Sequence, residues 1–204
     1  MSRNFQVLEK AALATPLDPH PAYLPAVTSE RTGEYSELIR RLFRAQSAVA
    51  VIGRRLDHGL TGICQGIAIE LAACGKRVVI VPVAALLRMN PLPSPDQAQL
   101  SPLQGQNVWL WPSAVDRNIE FFKPSEPVKP ENWLDGLRRN FDSVLLDCPP
   151  LSAAAGAAEV AAMADSVILV VEAGRTSKKE IQRDQRTLQM RGARLAGSIL
   201  IQRR

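Results

Sequence analysis

The stretch Gly53 to Thr61, GRRLDHGLT, holds the residues best suited to chemistry in this sequence. A loop that cradles phosphate needs glycines for close backbone approach, a lysine to neutralise the terminal phosphates, and a Ser or Thr hydroxyl to hold magnesium. Gly59 and Thr61 fill the places of the last glycine and the hydroxyl, whereas Leu60 stands where the lysine should be. A leucine can neither pair with a phosphate nor donate to it. Arg54 and Arg55 lie early in the loop, where they either reach phosphate in the lysine's stead or contact a partner from the surface. The start of the following helix favours an anion under both readings. Asp57, inside the loop, would repel a triphosphate and reads as a helix cap.

A second chemical position is Asp147, which closes the apolar run of FDSVLLDCPP, Phe141 to Pro150. In a phosphoryl-transfer site an acid so placed holds magnesium through water. It equally serves to end a strand before a turn at Pro149 and Pro150. Cys64, Cys74 and Cys148 are odd in number and lack CxxC spacing, which indicates neither a disulfide framework nor a zinc site and fits a reducing cytoplasm.

These residues need elements to position them. Ala48–Ile52 and Val78–Val83 are apolar runs of strand length, and between them Ile63, Ile67 and Leu71 recur at helical spacing up to a capping Gly75. That is a βαβ unit with parallel pairing. A helix over Glu131–Asn140, a strand Ser143–Asp147, an alanine-rich helix near 154–164, a strand Ser166–Val171, a helix over 178–191 and a strand Gly197–Ile201 continue the alternation. The expected fold is α/β, a mostly parallel sheet with helices on both faces, whose ligands bind beyond the carboxyl ends of the strands. Ahead of it, Tyr35, Leu38, Ile39, Leu42 and Phe43 mark an amphipathic helix.

The expected organisation is an extended, proline-containing arm over 1–31 with little structure, then one domain over 32–204. An irregular, proline-rich excursion at 84–130 interrupts it around one strand, Asn107–Trp111. Neither a signal peptide nor a membrane span is read, since the longest apolar run is broken by Pro82. The net charge of +5 rests on clustered arginines and favours an anionic partner, with a merely solvated surface as the plain alternative.

With those motifs in order, the chain resembles the cytoplasmic domain of bacterial tyrosine kinases of capsule and exopolysaccharide synthesis, relatives of the MinD and ParA ATPases. The likeness covers about residues 34–201 and is most specific in FDSVLLDCPP, in ADSVILVVEAGRTSKKEI and in GARLAGSILIQ. It implies a P-loop fold and, at the end of GKRVVIVPV, an Asp-x-Asp motif that helps hold magnesium and activate a tyrosine hydroxyl. Pro82 and Ala84 stand at those two places, and Gly156 stands where the family usually has an aspartate. The likeness further implies a ring-forming Glu-x-x-Arg-x-x-Arg helix. Glu34 and Arg40 match it, but Glu37 reverses the charge of the middle position. The family phosphorylates a tyrosine cluster at its own C-terminus, whereas the tyrosines here are Tyr23 and Tyr35.

Lysine and metal supply most of the catalytic power in phosphoryl transfer. The expected function is therefore that of a catalytically inactive, kinase-like protein without cofactor, binding or regulating the exopolysaccharide machinery. Its partner would be a membrane protein of polymerisation or export, or an intact kinase homologue, with homo-oligomers a further option. It would be cytoplasmic and reach the membrane only through that partner. The alternative is an ATP-binding switch or weak ATPase in which Arg54 or Arg55 replaces the lysine and Thr61 and Asp147 hold magnesium. A ParA-like, DNA-associated role ranks last, because few aromatics accompany the arginines and no DNA-reading motif is present.

Overall fold

Strands buried on both faces must be mostly apolar, and the central ones here are. The computed structural model describes residues 6–8, 35–43, 47–54, 59–87, 100–103, 107–112, 130–151 and 156–201. The elements run β1 (Gln6–Leu8), α1 (Ser36–Leu42), β2 (Ser47–Gly53), α2 (Gly59–Ala73), β3 (Val78–Pro82), α3 (Val83–Leu86), β4 (Ser101–Pro102) and β5 (Val108–Leu110). They continue α4 (Pro130–Asn140), β6 (Ser143–Cys148), α5 (Ala157–Ala162), β7 (Ser166–Glu172), α6 (Lys178–Met190) and β8 (Leu195–Ile201). Every residue of β2 and of β6 is buried.

The strands form one eight-stranded sheet in the order β1-β8-β7-β2-β6-β3-β5-β4. Pairing is parallel from β8 through β5, and antiparallel at the two edges. The α/β class and the mostly parallel sheet are as expected from the sequence. The first edge corrects the arm: residues 6–8 pair with Ser198–Leu200 instead of standing free, and the rest of 1–31 lies outside the described residues. Within the 84–130 excursion, α3, β4 and β5 are ordered elements; 88–99, 104–106 and 113–129 are outside the described residues.

Side-chain alternation divides the core between the two faces. Ala48, Ala50 and Ile52 of β2 meet α3, α4, α5 and α6, in a cluster with Trp111, Trp133, Leu137 and Leu188. Val49 and Val51 meet α1 and α2, among Leu38, Ile63, Ile67 and Leu71. The chain therefore leaves adjacent strands β2 and β6 towards opposite faces, through α2 and α5. That reversal opens a crevice beyond their carboxyl ends. Gly75, at φ +82°, closes α2 in the left-handed conformation that glycine adopts without strain.

The expected amphipathic helix near the start is α1, and it docks on α2 through an acid. The Glu70 carboxylate accepts from the Tyr35 backbone N–H at 2.9 Å and from the Ser36 hydroxyl at 3.4 Å. The Tyr35 ring packs against Gly66, where an added Cβ would fall 2.4 Å from the ring carbon Cε2. Gly66→Ala is thus expected to destabilise the protein by about 1–2 kcal/mol, overpacking outweighing the better helix propensity of alanine. Gly62→Ala, where a Cβ meets nothing within 4 Å, should be neutral or stabilising by up to about 1 kcal/mol. Urea midpoints of the two variants check this, and equal midpoints would refute the close packing of Tyr35.

Candidate functional site

The crevice at the ends of β2, β6, β3 and β7 gathers most of the residues singled out in the sequence. Thr61, in the first turn of α2, donates its hydroxyl to Asp147 Oδ2 at 2.8 Å. Asp147 is buried near the end of β6, so the hydroxyl and the acid that the sequence separates by a long stretch meet as a magnesium-type pair would require. Pro149 and Pro150 follow, both buried. The adjoining Cys148 and Cys64 are buried thiols pushed well above the ordinary range by desolvation, with the Asp147 charge adding to the effect; neither is a nucleophile.

Among the described residues, the three positions singled out beside that pair in the sequence, Leu60, Pro82 and Ala84, are apolar. Pro82 is in register with Asp147 across the β3–β6 ladder, so an acid at 82 would have stood beside Asp147, and Ala84 follows inside the short α3. Leu60 packs against the core cluster on the α1 and α2 side, and a Cβ at its neighbour Gly59 would lie 4.0 Å from Ile201. Gly156, ahead of α5, adopts φ +97°, and a Cβ there would come within 3.1 Å of Leu87 Cδ2. An aspartate at 156 would need both a different backbone and a displaced leucine.

Arg54 corrects one of the two readings of the loop. It is not an exposed partner contact: it is 8% exposed, and its Nη2 donates to Glu180 Oε1 of α6. Glu180 is itself held by a capping box, its Oε2 accepting from the Ser177 backbone N–H at 2.7 Å while the Ser177 hydroxyl accepts from the Glu180 N–H at 3.3 Å. One turn on, Asp184 is 1% exposed. Burial raises its carboxyl from 3.8 to about 7, against the opposing pull of Arg54 and Arg183. Gly53, the last residue of β2, is paired with Val170. Arg55, Asp57 and His58 lie outside the described residues.

Glu180 and Asp184 were not singled out in the sequence, where α6 reads simply as amphipathic. The signal was there at Asp184. The inward stripe of α6 runs Ile181, Asp184, Leu188, and a carboxylate at an apolar position calls for compensation of its charge. Of the self-association residues, Glu34 is outside the described residues. Glu37 forms ion pairs with Arg40 at 2.7 Å and with Arg41 at 2.6 Å on its own helix. Hydrogen bonds from both arginines hold its carboxyl below the usual range.

The donors Thr61 and Asp147 have the right chemistry for magnesium, and the neighbouring positions of the sequence add no further charge to them. No lysine stands at 60, no second acid stands at 82 or 84, and Arg54 is engaged with α6. Among the described residues no group of three or more His, Cys, Asp or Glu side chains could hold a metal ion. No described helix is long and apolar enough to cross a membrane.

No protein-family model matches the chain. Among curated proteins, a tyrosine-protein kinase, CpsD of Streptococcus agalactiae, is 28% identical over 89 residues, 44% of this chain and 35% of that protein. The matched stretch thus spans about a third of the relative's length. Among solved structures, the BceF tyrosine kinase domain superposes with a TM-score of 0.59 at 24% identity, covering 76% of this chain and 68% of that one. The kinase domain of the Escherichia coli tyrosine kinase ETK gives a TM-score of 0.64 at 16% identity, over 84% and 74%. The septum site-determining protein MinD from Pyrococcus horikoshii, solved with Mg-ADP, gives 0.54 at 18% identity, over 74% and 68%. The sheet order, the helices on its two faces and these superpositions make this a chain with the P-loop-type fold that bacterial tyrosine-kinase domains share with the MinD ATPases, and a tyrosine-kinase-like sequence over part of its length.

Proposed function

We propose that this chain is a catalytically silent, tyrosine-kinase-like protein that works by binding, as a regulatory partner in the synthesis or export of an exopolysaccharide or capsule. The observation that carries this reading is the residue type at three positions of the fold. Leu60, Pro82 and Ala84 stand where an ammonium and two carboxylates would be needed, while the scaffold around them is intact. Phosphoryl transfer in this fold depends on positioned positive charge facing the migrating group. Three apolar residues and one acid offer none.

Tyr35 adds to the reading. It is 6% exposed and packed on Gly66, so its hydroxyl is no acceptor for phosphate. The fitting partner is a membrane protein of polysaccharide polymerisation or export, or an intact kinase homologue. Either would bring a cytoplasmic chain to the inner face of the membrane.

One observation favours a second reading, the ATP-binding switch: the Thr61 to Asp147 hydrogen bond keeps the metal-side pair assembled. A single calorimetric titration of ATP with magnesium separates the two. Silence predicts no heat and no shift in melting temperature at millimolar nucleotide, and no hydrolysis even after Leu60→Lys, since Pro82, Ala84 and Gly156 remain. Micromolar binding with magnesium-dependent hydrolysis by the unaltered protein would end the first reading.

A further inference from the structure

The site described above uses none of the basic residues of α6. Lys179, Arg183, Arg186 and Met190 follow one another at intervals of four, three and four residues, which sets them in one line along the helix. All four are exposed, on the side away from the buried Asp184 and Leu188. We propose that this line is a contact surface for an anionic lipid bilayer and fixes which face of the domain lies against the membrane.

The charge along the line has one sign. The acids of α6 are Glu180 and Asp184; the first is taken up by its capping box and by Arg54, and the second is 1% exposed. Arg175 and Arg191, at the two ends of the helix, are paired with Glu172 and Glu159. Among the described residues, Lys179, Arg183 and Arg186 form no such pair. Met190 ends the line and is 78% exposed, the one large hydrophobic side chain so exposed among the described residues.

Three cations and a flexible apolar side chain within about 17 Å of helix suit a plane with phosphates at its surface and hydrocarbon beneath. The ammonium and guanidinium groups meet headgroup oxygens while the thioether enters the layer below. The outward ridge of a helix is convex and offers a peptide no groove, and a single strand of nucleic acid would need an aromatic platform where methionine stands. Each cation at an anionic surface strengthens adsorption by about fivefold, so three give on the order of a hundredfold. That hold is weak alone, but it orients a chain that a partner has already brought to the membrane. The contact goes beyond the partner reading and does not depend on whether the crevice is silent.

The test is co-sedimentation of the full chain with vesicles of equal parts phosphatidylglycerol and phosphatidylcholine, with pure phosphatidylcholine vesicles alongside. The unaltered protein should sediment with the mixed vesicles and not with the neutral ones, and should be released as salt rises from about 50 to about 300 mM and screens the attraction. Lys179→Gln, Arg183→Gln and Arg186→Gln together should weaken binding at least about tenfold, and Met190→Gln alone severalfold. Arg40→Gln, Arg41→Gln and Arg77→Gln together remove the same charge from α1 and from the entry to β3, and should leave binding nearly unchanged. Failure of the unaltered protein to bind the mixed vesicles would overturn the proposal. An equal loss in the control variant would do so too, since net charge and no particular face would then be read. Retention on polyglutamate or duplex DNA with none on the vesicles would give the line to a protein or a nucleic acid instead. Melting curves check that each variant folds; should the triple variant not, Lys179→Gln and Arg186→Gln decide singly, each with an expected loss of about fivefold. Binding of magnesium ATP would end the silent-site reading and leave the vesicle result as it stands.

Discussion

Trp133→Ala is expected to cost about 3–5 kcal/mol of stability, the usual range for deleting a large buried aromatic. Trp133 is 2% exposed on α4, and its ring meets Trp111 edge-on with centroids 5.1 Å apart and planes at 77°. Such a pair adds about 0.5–1.5 kcal/mol to what area burial alone contributes. The loss approaches the whole stability of an ordinary domain, so the variant should be largely unfolded at 37 °C. Trp133→Phe provides the contrast. The indole Nε1 has no hydrogen-bond partner among the described residues, so removing it forfeits no bond, and the expected cost is about 1–2 kcal/mol. Denaturant midpoints for the two variants check this, and similar midpoints would show that α4 does not anchor this face of the sheet.

A second large effect concerns pH. Burial raises Asp184 from 3.8 to about 7, with Arg54 from the end of β2 and Arg183 on α6 opposing and Glu180 on α6 reinforcing. The folded protein therefore keeps a proton at this carboxyl that the unfolded chain gives up above about pH 4. Its contribution is fully present below the unfolded value and is lost as the pH rises through about 7. At about 1.4 kcal/mol per unit, the rise sets an upper bound of about 4 kcal/mol. Solvent and the adjacent guanidinium bring the expected loss nearer to about 2 kcal/mol. Asp184→Asn, which mimics the protonated side chain, should flatten that slope and raise the melting temperature at pH 8 by about 4–8 °C. A slope unchanged by the substitution would show that Asp184 is not the group responsible.

Both effects bear on function through the same architecture. The face that holds Trp133 also carries α5 and α6, and α6 supplies Glu180, which accepts from Arg54.

Much of the fold was legible from local pattern. The short, β-branched apolar runs in Ser143–Asp147 and Ser166–Val171 read as strands buried on both faces, and Leu38, Ile39, Ile63, Ile67 and Leu71 fall at helical spacing, so the parallel sheet and its flanking helices followed. The substitutions at Leu60, Pro82 and Ala84 were legible too, because side-chain type alone decides whether a group can carry charge.

Other features depended on which elements meet. No local rule draws residues 6–8 onto β8, because an edge strand is chosen by free backbone donors and acceptors and not by its own side chains. Nor did the sequence show whether Arg54 faces phosphate or partner. What the fold adds is a partner more than a hundred residues away, Glu180 of α6, which comes within reach of Arg54 only once β7 lies beside β2. The sequence by itself determined the sheet, the helices and the missing charges. The tertiary structure alone decided where the remaining charges point, because the pairing of buried ions depends on distances that only the folded chain creates.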